Sequence, residues 1–474
     1  MLFNSLEYLI FLPIVFLLYW GVGSERLQHQ NLLVVIASYL FYGWWDYRFL
    51  LLIFVTTLTT FFSGVWMEDV EDRQKRKRLA AVNVIFNLAI LGIFKYFNFF
   101  SETFSQMLSL FGLHVDAVTL RLILPVGISF YTFQAIGYTL DVYRYRVEPT
   151  HHFIAFSAYI SFFPQLVAGP IERASHLLPQ MEHRRTFDLA SAVDGLRQIL
   201  WGLFKKMVVA DNCALAVDEI FAHYGSQSSV SLLVGAFLFT MQIYGDFSGY
   251  SDIAVGTAKL FGISLMQNFR MPYFSQGIQD FWRRWHISLM VWLRDYVYIP
   301  LGGSRCSRRR HLFNIFVVFL LSGLWHGAAW TFILWGMWHG FWMMLAAVGG
   351  KQSSASAVRI RCFFGWACTF VIVMLGWIIF RAETMGQMVG YFSQMFSLAL
   401  DADALSLRWG KMALLYSFLM LMAEWWQRDK DHALQLPKCG ILAYRGCRWA
   451  LYYIIIALVF CCYGTQQNFI YFQF

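Results

Sequence analysis

Charge is scarce in this chain. Asp, Glu, Lys and Arg make up 14% of its 474 residues and hydrophobic residues 58%, whereas an ordinary soluble domain is about 25% charged. Residues 312–350 and 449–474 carry no charged side chain at all. A bilayer core of ~30 Å is crossed by about 20 helical residues, so such runs exclude a soluble globular fold and make lipid the solvent for most of the chain. Proline is also sparse, at nine residues. No repeat, low-complexity tract or Pro/Gly-rich linker divides the sequence, which reads as one membrane domain over 1–474 with no separate soluble module. The eight cysteines offer no CxxC pair and no zinc-like spacing, so they read as packing residues and no metal is implied. GxSxG, P-loop, HExxH and GxGxxG motifs are absent, leaving serine hydrolase, NTPase, zincin and dinucleotide enzymes without support.

What the chain does contain is a succession of apolar runs. Candidate spans lie at roughly 8–24, 30–45, 49–67, 79–100, 122–141, 153–170, 194–210, 228–245, 248–265, 285–300, 312–348 in one or two passes, 362–380, 411–426 and 449–464. They predict an all-α polytopic membrane protein of about a dozen transmembrane helices, with two or three of the runs re-entrant or interfacial. The first run, Tyr8 to Ser24, follows Glu7 rather than a basic leader and reads as a retained span. The net charge of +9 comes from short basic clusters between apolar runs, the pattern of cytoplasmic loops beside anionic lipid rather than of a nucleic-acid surface. Over the first third, eight Lys and Arg, five of them in 67–78, fall on one side and two, Arg48 and Arg121, on the other. The N-terminus is then outside and the 67–78 loop cytoplasmic.

Ionisable residues at membrane depth are costly and mark candidate sites. The sharpest is His326 in Gly323-Leu-Trp-His-Gly327, about 20 Å along a helix from the basic stretch ending at His311. Its glycines let the backbone break or approach a ligand; a buried histidine bonded to a carbonyl fits equally well. His339 repeats the pattern in Trp338-His-Gly340, is expected nearer the opposite edge, and serves as a packing control. A second constellation is Phe281-Trp-Arg-Arg-Trp-His286, where Arg283, Arg284 and Arg294 could form a positive mouth for a phosphorylated ligand or snorkel to lipid phosphates. A third, Asp246-Phe-Ser248-Gly-Tyr-Ser-Asp252, gathers carboxylates and hydroxyls, although Gly245 and Gly249 could be a helix-packing surface. The irregular segment Phe163-Pro-Gln-Leu-Val-Ala-Gly-Pro-Ile-Glu-Arg173 must be buried in protein or line a cavity. A histidine without a nearby nucleophile suits general-base activation of an acceptor hydroxyl.

Six ordered blocks carry a resemblance: 163–173, 246–252, Asn268-Phe-Arg-Met-Pro-Tyr273, 281–286, Trp292-Leu-Arg-Asp-Tyr-Val-Tyr-Ile-Pro-Leu-Gly-Gly303 and 323–327. Together they resemble the membrane-bound O-acyltransferase (MBOAT) superfamily, and within it the branch of bacterial alginate O-acetyltransferase membrane subunits. The likeness runs from the opening Met-Leu-Phe-Asn-Ser to the closing Phe469-Ile-Tyr-Phe-Gln-Phe474. It implies a ring of helices around a thinned centre and a tunnel for an acyl thioester. The family's invariant histidine falls on His326 and its second histidine on His286; His339 matches no catalytic position.

The resemblance implies an O-acetyltransferase of the bacterial inner membrane that takes acetyl from cytoplasmic acetyl-CoA, as substrate rather than bound cofactor, for O-acetylation of an exported polysaccharide such as alginate or peptidoglycan. His326 is expected to act as base. His286, with Tyr298 or a carboxamide, is expected to hold the thioester carbonyl or orient the donor, and Arg283, Arg284, Trp285, Tyr298, Asp246 and Ser248 are the candidate donor-binding residues. The first acceptor is expected to be a periplasmic SGNH-like acetyltransferase partner. The alternatives are D-alanyl transfer from a carrier protein to teichoic acid and, in a different class, a transporter or flippase; the latter should show inverted repeats, which the sequence lacks.

Overall fold

A computed structural model describes residues 1–21, 26–120, 122–167, 169–349, 358–399, 408–436, 440–465, 467 and 469–470. Arg121 of the charge count, Ser24 at the end of the first run, Ala168 of the irregular segment and the closing residues 471–474 lie outside the described residues. The described residues are helical and contain no strand. The chain divides into two compact units, one of 1–192 with 258–266, the other of 193–257 with 267–474. Five described helices are long and apolar enough to cross a membrane on length and composition, and Leu6–Gly21 is apolar but shorter.

In the first unit several polar residues find partners in the interior. Helix Leu6–Gly21 turns Tyr8 and Tyr19 inward and leaves Leu9, Ile10, Ile14 and Leu17 exposed, the pattern of a lipid-facing stripe. The five basic residues at 73–78 start helix Arg73–Leu91, which Asp72 caps by accepting from the Gln74 N–H at 2.8 Å. Arg76 folds back into the interior, donating to the Met67 carbonyl and, at 2.6 Å, to that of Val142. This helix continues through a π-helical turn, Gly92–Tyr96, into Phe97–Leu110, giving 38 unbroken residues of which the last segment buries none. Past Phe162 the backbone breaks as expected for residues 163–173, and those of 163–172 whose placement is described are buried, with Arg173 half-buried. Gln165 donates to the Tyr159 carbonyl at 2.9 Å, and Glu172 accepts from the Met266 N–H at 2.5 Å and pairs with His176 at 2.7 Å.

In the second unit two expected spans merge. Residues 228–245 and 248–265 belong largely to a single helix, Ser229–Leu260, because Gly245 and Gly249 bring a neighbour close instead of breaking the backbone. A Cβ on Gly249 would stand 2.8 Å from the Gly202 carbonyl oxygen, and one on Gly245 would stand 2.9 Å from that of Lys205. The run 285–300, read as a span, is not one: short helices Ile278–Arg284 and Ile287–Leu293 meet at a sharp turn and end in a π-helical turn, Arg294–Tyr298. Residues 312–348 fall in two helices, Arg308–His326 and Trp330–Val348, joined by three residues, of which the second is long and apolar enough to cross a membrane. Their backbones touch, since a Cβ on Gly323 would overlap the Phe332 carbonyl oxygen and one on Gly336 that of Phe319.

That contact sets a prediction. Gly323→Ala and Gly336→Ala each push against backbone and should cost about 1–3 kcal/mol, read as a lower melting temperature in one detergent. Gly340→Ala meets only side-chain and Cα atoms of Phe319 and Phe316, none nearer than 3.3 Å, and should cost less; equal melting for all three variants would show that the crossing tolerates a methyl.

Candidate active site

His326 is the last residue of helix Arg308–His326, where Gly327 turns the backbone to an extended conformation. Eighteen helical steps put it about 27 Å from the basic start of that helix. Gly327 serves packing: a Cβ there would overlap the Phe332 ring. The imidazole is buried, with Trp325 and Trp335 both at 5.0 Å and Phe380 at 5.4 Å between ring centroids.

His286 occupies the turn between the two short helices with φ 44° and ψ 52°, a left-handed conformation that is uncommon outside glycine. The turn is strapped to residues 268–270: Ile287 N–H donates to the Asn268 carbonyl and Arg270 N–H to that of Arg284, both at 2.9 Å. His286 is buried, packs edge-on to Phe247 at 4.7 Å, and lies 6.4 Å from the His326 ring, with Trp325 against both. Forty residues apart in sequence, the two histidines thus share one buried aromatic pocket.

An open cavity reaches Ile287, next to His286, although neither histidine lines it; its lining includes Arg283, Arg294, Tyr298 and His311 and, on apolar walls, Trp282, Met290 and Phe319. Arg283 and Tyr298 therefore face one space. Arg284 does not line it and pairs with Asp280 at 3.0 Å. Trp285 is fully buried among Trp377 at 4.8 Å, Phe269 at 5.0 Å and Phe281 at 5.6 Å.

Asp246 and Ser248 belong to a different cluster. On the π-helical segment Phe204–Ala210, Lys206 donates to Asp211 at 2.7 Å, to Asp246 at 2.8 Å and to the Gln467 carbonyl at 3.0 Å. Lys205 pairs with Asp252 at 2.6 Å and donates to Ser248 Oγ at 2.9 Å, and the Tyr244 hydroxyl donates to Glu424 at 2.8 Å. Lys205 and Lys206 are not among the residues singled out from the sequence. The available signal was charge matching, because buried lysines must find carboxylates and Asp211, Asp246, Asp252 and Glu424 are acidic residues set in apolar sequence.

His339 is placed differently from the expectation. The chain reverses after His326, so His339, nine residues into the returning helix, lies about 14 Å back toward the basic end rather than nearer the opposite edge. It is fully buried between Trp282 and Trp335, each at 4.9 Å, and neither of its ring nitrogens has a hydrogen-bond partner among the described residues. Gly376 makes room for it, since a Cβ there would stand 2.7 Å from His339 Nε2.

A family model described as MBOAT, membrane-bound O-acyltransferase family, matches residues 146–388, a stretch that holds both histidines and the cavity. The chain belongs to the membrane-bound O-acyltransferase family. It is therefore a multi-pass membrane acyltransferase. The chain is 40% identical over 399 residues to the "Probable alginate O-acetylase AlgI" of Pseudomonas aeruginosa, covering 84% of this chain and 75% of that one. It is 34% identical over 414 residues to the peptidoglycan O-acetyltransferase of Helicobacter pylori, covering 81% and 78%. With the teichoic acid D-alanyltransferase of Streptococcus thermophilus it shares 28% over 317 residues, covering 60% and 75%.

For His339 the packing predicts a volume effect. His339→Ala should lose about 3 kcal/mol through the cavity left between two tryptophans, whereas His339→Leu should lose much less, because it keeps most of the volume and removes two unbonded nitrogens. Thermal melts check the order; equal loss in both would mean that the imidazole itself is needed.

Proposed function

We propose that the chain transfers acetyl from acetyl-CoA, bound from the cytoplasm, across the bacterial inner membrane for O-acetylation of an exported polysaccharide. The observation that carries the reading is the pairing of His286 and His326, with a cation-lined cavity reaching Ile287 next to the first of them. The hydroxyl oxygen of the acceptor attacks the thioester carbonyl carbon, the C–O bond forms as the C–S bond breaks, and His326 takes the hydroxyl proton and returns it to the departing thiolate. The CoA phosphates rest at the cavity rim on Arg283, whose planar guanidinium suits phosphate, with Tyr298 beside it. The O-acetylating names of the 40% and 34% identical relatives favour acetyl and a glycan over D-alanine and teichoic acid. The family match draws on residues of both compact units, which supports one functional membrane domain. A periplasmic SGNH-like partner takes the acetyl group first, because a chain so poor in charge offers little surface for a long polar glycan.

In proteoliposomes loaded with acetyl-CoA, wild-type chain with its partner should acetylate the glycan and His326→Ala should lose at least about 100-fold, the usual effect of a general base, while keeping its melting temperature. Near-normal transfer by His326→Ala would remove it from the mechanism, and efficient acetylation of an oligosaccharide by the chain alone would remove the partner.

The two arginines should separate. Arg283→Ala should raise the donor KM about 10-fold, the loss of roughly one charge-assisted phosphate contact, with kcat little changed, and Arg284→Ala should leave KM unmoved. Equal KM effects at both positions would place the phosphates elsewhere.

A further inference from the structure

We propose that Asn268 is a positioning residue that fixes His286 in the tautomer protonated on Nδ1, leaving Nε2 as a proton-accepting nitrogen of the site. The inference rests on the reading of His286 as a site residue. Asn268 is buried, and its Oδ1 lies 3.2 Å from His286 Nδ1, 3.3 Å from the Ser288 backbone nitrogen and 3.0 Å from Ser288 Oγ. The ends of an amide side chain are told apart only by their partners, and here one partner decides. A backbone N–H only donates, so the end of Asn268 facing Ser288 N must be the oxygen. That oxygen only accepts, so a neutral His286 must place its proton on Nδ1, and its lone pair then sits on Nε2.

The same residue holds the backbone. The Asn268 carbonyl accepts from Ile287 N–H at 2.9 Å and its Oδ1 from Ser288 N–H, so one residue grips the two positions that follow the strained His286 backbone. The chemistry follows from the tautomer. A neutral His286 cannot donate from Nε2 to a thioester carbonyl; it can accept a proton or a hydrogen bond from a group that carries one, such as the acceptor hydroxyl or an N–H of His326. The pair is then two nitrogens handling one proton, rather than a base and an oxyanion donor.

The decisive measurement is ¹⁵N NMR of full-length protein in lipid with labelled histidine, the His286 signals assigned by their loss in His286→Ala. The expected result is Nδ1 protonated and Nε2 bare in wild type, unchanged in Ser288→Ala, which keeps the deciding N–H. An Nε2-protonated His286 in wild type overturns the proposal whether or not Asn268 variants fold. In acetyl-transfer kinetics Asn268→Leu should lower kcat about 10-fold or more with donor KM within about twofold, and unchanged kcat would also overturn it. The two readings fail separately: loss of activity in His326→Ala tests the enzyme reading, and the NMR tautomer tests this one.

Discussion

Within lipid, one apolar surface gains little by covering another, and helices associate through close contact and interhelical polar bonds. Helices Arg308–His326 and Trp330–Val348 meet that constraint at Gly323 and Gly336, where each glycine lies against the other helix's carbonyl. The rest of the candidate site depends on this crossing. It puts the chain reversal directly after His326, aligns Trp335 with that imidazole, and brings His339 back beside Trp282. Any side chain at the crossing would separate the helices and displace the tryptophans through which the histidines are packed.

The polar interior follows a second rule. Lys205 and Lys206 are adjacent, and on an ordinary helix adjacent residues point about 100° apart. Here a π-helical segment and the bare surface of Gly245 and Gly249 let both reach carboxylates of the facing helix. Removing one member of such a buried pair leaves an uncompensated charge at a cost of about 3–5 kcal/mol. The cluster thus fixes how Ser229–Leu260 sits against its neighbour and, through Phe247, the wall on which His286 rests.

Much of this was legible in the sequence. Apolar runs gave the helical membrane class, and the ordered blocks gave the family and singled out the two histidines. The irregular segment at 163–173 was recognisable from its prolines and glycine. What hydropathy did not carry was direction. Residues 248–265 are apolar whether the chain turns at Gly245 or runs straight through, so one helix was read as two spans. Residues 285–300 are apolar because they pack on aromatics rather than lipid. His339 was misplaced because no period in the sequence marks the reversal at Gly327. Asn268 lay inside a recognised block without a role, since its significance is a single oxygen facing a single N–H, visible only with coordinates.

The helix that begins at Arg73 runs 38 residues to Leu110, about 57 Å, nearly twice the ~30 Å of hydrocarbon in a bilayer. It cannot stand upright within the membrane and end there. Its last segment, with Phe100, Phe104, Met107 and Leu110 exposed alongside Glu102, Gln106 and Ser109, has the mixed surface of a helix at the lipid–water boundary. At the other end of the rod Arg76 holds carbonyls of two neighbouring segments, so the long helix is tied to the interior near its start and meets the boundary at its end.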